Sequence, residues 1–347
     1  MIKLLFSVMR RRDDLPEMRL PLALVLMLGT ALFSCAGAHL LTSSVESTGS
    51  LVSMAGFAAS LVFLPAAVCS YAMIILLWRR YASLLTTPVT ALMLYITGCG
   101  IFASAVFLLT VLVTAYAFAV SMISRETRFR RVAAVSFSFA VCLLLSLIAL
   151  VGMRYGSAEG ALDAVYSFVK DTLSALYQAA GSALEEHECA RAAREVLSTL
   201  PAYIGIISLT LAAISDTLAK LLFRALDCED IFISLSHEIT MPRAFAFIYI
   251  ASAVMFFLSS GSDFTLLYIM MKSLTYIMIL PCAAVGIGEI MKKPEDEYFA
   301  ANPRNAAALV TVFLTVMFLG IRIVLVIASV CGAVKAIMSK SQAYSAN

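Results

Sequence analysis

The sequence predicts an all-α fold, a polytopic transmembrane helical bundle of about nine spans, within a range of eight to ten. Three observations predict it. Apolar residues make up 62% of the 347 residues and charged residues only 14%, more apolar surface than a water-soluble chain of this length can hide. The apolar residues gather into runs of about 20 or more, the length a helix needs to cross a hydrocarbon core about 30 Å thick. The basic residues alternate. Between those runs, segments 1–19, 79–82, 124–131, 220–243 and 292–304 carry 17 Lys and Arg, whereas the intervening segments carry 4, all in 154–198. Positive charge marks the cytoplasmic side, so the chain is expected in a cell inner (plasma) membrane with its N-terminus cytoplasmic. The tail is the weak point of that count, because nine spans put Lys335 and Lys340 outside.

Residues 1–19 form a basic N-terminal segment. Arg10, Arg11 and Arg12 ahead of an apolar run, with Ala36-Gly37-Ala38 further on, resemble a signal peptide. The run 20–41 is long enough to span, so it is expected to be an uncleaved first helix. The second span, 51–78, contains Pro65, which removes a backbone donor and is expected to kink it. Trp78, Arg79, Arg80 and Tyr81 follow as an interfacial anchor. The run 83–123 is too long for one span, and Gly98-Cys99-Gly100 marks a tight reversal that makes it two. Arg125, Arg128, Arg130 and Arg131 precede the fifth span, 132–153.

A polar insertion occupies 154–198. Leu162, Val165, Tyr166, Val169, Leu173, Leu176 and Tyr177 recur at three- and four-residue spacing, the mark of an amphipathic helix. It is expected outside the cytoplasm, lying flat on the membrane or capping the bundle, or else serving as a lid over an outward-facing cavity. Pro201 is expected to open the next span, which ends in Asp216, Lys220 and Arg224 at four-residue spacing along one face. Spans 243–260 and 264–290 are joined by Ser259-Ser260-Gly261-Ser262-Asp263, with Asp263 placed to cap the second. The loop from Lys292 to Glu297 leads to 305–338, which must protrude from the bilayer or break near Gly320. The expected organisation is a cytoplasmic N-terminus 1–19, a five-helix bundle 20–153, the extracytoplasmic segment 154–198, a four-helix bundle 199–338 and a tail 339–347.

Charged residues inside these runs are the candidate site, because an intramembrane ionisable group is costly without a partner. Lys272 lies about 12 Å from the Asp263 end of its helix, and Asp216 about 22 Å from Pro201. Arg322 follows Gly320. Lys272, Asp216 and Arg322 are candidates to line an internal polar pocket. The alternatives are a structural ion pair that fixes helix register, and an Asp216 that simply pairs with Lys220 near the interface. Pro281 could open its helix and free a carbonyl, as interrupted helices do in transporters, or only bend it.

No catalytic, cofactor-binding or metal motif is visible. There is no phosphate-binding G-x-x-x-x-G-K-[ST] loop, and His187-Glu188 and His237-Glu238 lack a second histidine four residues on. Gly286-Ile287-Gly288 is short for a phosphate loop and suits close helix packing. Eight cysteines are scattered without a C-x-x-C pair. No basic patch interleaved with aromatics points to nucleic acid. An enzyme is not expected.

The order of three short elements resembles the YybS-like family of uncharacterised bacterial multi-pass membrane proteins. They are Phe63-Leu64-Pro65-Ala66-Ala67 leading to Arg79-Arg80-Tyr81, Leu200-Pro201 leading to the stretch from Leu218 to Arg224, and Met241-Pro242-Arg243 leading to Lys292-Lys293. They cover about two-thirds of the chain. The penultimate helix departs from that pattern, with Pro281-Cys282-Ala283 in place of a glutamine-glycine step. The resemblance implies an N-terminal half similar to the substrate-binding membrane subunits of energy-coupling-factor transporters. It also implies a separate energising or regulatory protein as partner. Beyond the lipid bilayer, the expected function is therefore binding or transport of a small molecule without nucleotide hydrolysis. The alternative is a membrane scaffold that recruits partners through the cytoplasmic loops 225–242 and 292–304.

Overall fold

The computed structural model describes residues 20–46, 51–77, 80–124, 126–157, 186–225, 241–259, 266–290 and 321–338, with scattered positions between 159 and 174. Among the described residues the chain is almost entirely helical, and no strand occurs. The helices with defined bounds are α1 (Leu20–Glu46), α2 (Leu51–Leu77), α3 (Arg80–Ile96), α4 (Ile101–Ile123), α5 (Arg128–Tyr155), α6 (Glu186–Ala225), α7 (Arg243–Leu258), α8 (Leu266–Ile290) and α9 (Ile321–Met338). Five of them are long and apolar enough to cross a membrane: α1, α4, α5, α6 and α8. The apolar stretches of α2, α3, α7 and α9 are shorter.

Packing divides the chain into two compact units, residues 1–158 with 207–235, and residues 159–206 with 236–347. Helix α6 contributes its first half to one unit and its second half to the other.

In the first unit, α1 and α2 run antiparallel. Gly29 lies against Ser70, and Phe33 stacks on Phe63 at 6.3 Å. Helices α1 and α4 are also antiparallel, since Gly37 meets Phe107 and Gly100 meets Thr42. The reversal expected at Gly98-Cys99-Gly100 is present. Gly98 has φ +69°, a conformation that costs a Cβ-bearing residue about 1–2 kcal/mol, and the Thr97 hydroxyl donates to the Met93 carbonyl at 2.8 Å. Helix α2 continues through Pro65. The core gathers Phe118, Phe139, Phe223, Met73 and Ile74. Large apolar side chains such as Leu24, Val25, Leu28 and Leu32 on α1, and Leu144, Leu145 and Ile148 on α5, face outward. Several buried hydroxyls return their protons to the preceding turn, as Thr30 does to the Leu26 carbonyl and Ser215 to Leu211, which satisfies them without water.

In the second unit, α7 and α8 are antiparallel, joined by Thr275 donating to Ser252 at 3.2 Å and by Met241 beside Cys282. Tyr249 and Ser329 share a hydrogen bond of 2.7 Å between α7 and α9. Helices α8 and α9 meet where neither carries a side chain. A Cβ at Gly286 would lie 2.0 Å from the Ala328 carbonyl oxygen, and one at Gly332 would lie 1.9 Å from that of Cys282. Close packing, the expected use of Gly286, is what the backbone shows there. The first half of α6 packs on α8 through Gly205 and Ile277.

Two prolines lie inside helices that continue through them. Pro201 does not open its helix, because α6 begins at Glu186 and runs through it. Proline removes one donor, the one that would reach the Leu197 carbonyl, and in the turn ahead of it Ser198 donates to the Glu195 carbonyl and Thr199 to that of Val196, each at 2.7 Å. Pro281 likewise lies inside a continuous α8. Described positions between 159 and 174 are helical, with Asp163, Ser167 and Asp171 exposed. The rest of the expected amphipathic segment lies outside the described residues. So do the N-terminal segment 1–19, Trp78 and Arg79, loops 226–240 and 291–304, the Asp263 cap, Gly320 and the tail.

Candidate functional site

The buried charges predicted from sequence find their partners within their own units. Lys272 sits two turns into α8, only 1% exposed. Its ammonium forms an ion pair with Glu195 and donates to the Ser198 hydroxyl at 3.0 Å. It also lies 5.5 Å from the centre of the Tyr268 ring, a cation–π arrangement. Helical periodicity builds this centre. Tyr268 and Lys272 are four apart on α8, and Glu195 and Ser198 are three apart on α6, so each pair lies on one face. The Glu195 side chain is 49% exposed. The centre therefore has a dry cationic side and a carboxylate reachable from outside the unit. Ser273, next to Lys272 in sequence, is buried, and its hydroxyl has no partner among the described residues.

Asp216 is completely buried, and three cations converge on it. Arg131 donates through Nε to Oδ1 at 2.7 Å, and Arg128 through Nε to Oδ2 at 2.9 Å. Lys220 Nζ is 3.7 Å from Oδ2. The arginines stand on the first turn of α5, one turn apart, so both reach the same carboxylate. The Cys69 thiol donates to the Ser215 carbonyl at 3.0 Å, fixing α2 against the same turn of α6. These contacts explain why the second half of α6 belongs with the N-terminal helices.

Lys220 was expected beside Asp216 and is there. The sequence does not pair the arginines with Asp216, although they count as cytoplasmic charge and Asp216 is expected near the end of a span on that same side. Matching carboxylates to cations by expected depth would have found them. The sequence does not reveal Glu195, because its pattern puts this residue in the polar insertion, ahead of a helix expected to open at Pro201. The sequence pairs Lys272 with Asp216 by depth, whereas the structure gives them separate partners. Arg322 lies in the first turn of α9, with its side chain outside the described residues. Pro281 is partly buried in α8, and Cys282 after it is buried against α9.

Among the described residues, no group of three or more His, Cys, Asp and Glu side chains could hold a metal ion, and the cysteines are unpaired thiols. No protein-family model matches the sequence, and neither a curated protein nor a solved structure matches it.

Proposed function

We propose that this chain is a multi-pass membrane protein that binds a small molecule at the Lys272 centre, as a binding or transport component without nucleotide hydrolysis or catalysis of its own. The carrying observation is a lysine that is 1% exposed, held by a glutamate that is half exposed. Burying an ammonium costs several kcal/mol, and apolar residues of similar size pack at least as well. A helix needing only packing gains little from lysine at that position. Glu195 is accessible and can leave, so an anionic group of a ligand can take its place on Lys272. Ser198 and the Tyr268 ring supply further recognition.

The membrane setting rests on the five apolar helices, on the outward-facing leucines and isoleucines, and on the alternation of basic segments. Nine spans with the N-terminus cytoplasmic accommodate the antiparallel neighbours α1–α2, α1–α4, α7–α8 and α8–α9. In that layout Glu195 and Lys272 lie toward the outer face and Asp216 toward the cytoplasmic face. The resemblance to the YybS-like family supports a separate energising or regulatory partner.

Native mass spectrometry of the full chain in mild detergent tests the proposal. A small molecule retained by the wild type and lost from Lys272→Met, with thermal stability equal or higher, is the expected result. A variant that keeps the ligand sinks it. So does a wild type that carries only a protein partner, which is the scaffold outcome.

A further inference from the structure

The Asp216 centre carries more positive charge than its carboxylate answers. Arg128, Arg131 and Lys220 all face Asp216, among the described residues three positive charges against one negative, an excess of two. Arg130 does not add to it, because Glu126 pairs with it at 3.4 Å. The bonding pattern shows where the excess points. Each guanidinium touches Asp216 through Nε, and no hydrogen bond engages the terminal nitrogens of either arginine with another described residue. The Arg131 side chain is 4% exposed, whereas those of Arg128 and Lys220 are 32% and 29% exposed. One of the three cations is therefore dry, and the other two can be reached by solvent or lipid. The positive end of the α5 dipole adds to the same field, and Thr127 gives it no side-chain cap.

We propose that the terminal nitrogens of Arg128 and Arg131, together with Lys220, form a site for a phosphate-type oxyanion. Asp216 is the positioning residue, turning both guanidiniums side-on. The planar guanidinium matches tetrahedral phosphate oxygens through paired N–H donors, and such charge-assisted bonds are the strong ones. The oxyanion can be the headgroup of an anionic phospholipid or a soluble phosphate. A basic cluster at the ends of apolar helices suits either.

The test uses the full chain in phosphatidylcholine nanodiscs. One arm titrates inorganic phosphate, the other replaces part of the lipid with phosphatidylglycerol, and thermal stability and native mass spectrometry read both arms. The wild type is expected to show a saturable rise in Tm and retained mass with at least one probe. A response to phosphatidylglycerol alone assigns the lipid headgroup, and a response to phosphate in phosphatidylcholine assigns the soluble anion. Arg128→Gln with Lys220→Gln should weaken that response roughly tenfold or more in apparent affinity, while Arg130→Gln leaves it unchanged. Arg128→Gln alone gives the same comparison if the double variant does not accumulate. A wild type indifferent to both probes, or variants that respond as the wild type does, overturns the site.

Discussion

Replacing Asp216 by Asn keeps the side-chain shape and removes the one negative charge that Arg131 meets at 2.7 Å. Breaking a buried ion pair from one side costs about 3–5 kcal/mol, because the other charge is left desolvated without compensation. The Arg131 side chain, 4% exposed, suffers that in full, whereas Arg128, at 32%, can turn toward its surroundings. The lower end of the range, about 3 kcal/mol, is therefore expected. The loss is read from equilibrium unfolding in mixed detergent micelles. Arg131→Gln on the Asp216→Asn background removes the stranded cation and should restore part of the stability. The double-mutant cycle should give a coupling of at least about 1 kcal/mol. A loss below about 1 kcal/mol for Asp216→Asn, or strictly additive variants, would show that the pair does not hold α6 to α5.

Two further substitutions probe the backbone. Gly332→Ala places a Cβ 1.9 Å from the Cys282 carbonyl oxygen, which no rotamer can relieve. The helices α8 and α9 must separate, at a cost of about 2 kcal/mol or more; an unchanged Tm would contradict the close approach. Pro201→Ala tests the continuity of α6, since proline inside a helix is about 3 kcal/mol less favourable than alanine. Stability should hold or rise, and a marked fall would mean that the helix starts at Pro201 after all.

The sequence determined the helical class, and it located the helices closely. Apolar runs and helical periodicity are local properties, so 20–41, 51–78 and the reversal at Gly98 are legible from neighbours in the chain, and the structure has them as α1, α2 and the α3–α4 turn. It also singled out Lys272 and Asp216, because a charge in an apolar run is conspicuous without any fold. Their partners were decided by tertiary structure. Arg128 and Arg131 are 85 or more residues from Asp216, and Glu195 is 77 from Lys272. Depth along a helix can be estimated from its 1.5 Å rise, but which face of which helix meets which neighbour depends on packing the whole bundle. The path of α6 through Pro201 was settled the same way. A proline reads locally as a boundary, yet packing on both sides of it holds one helix together, with its first half bonded to α8 and its second to α5.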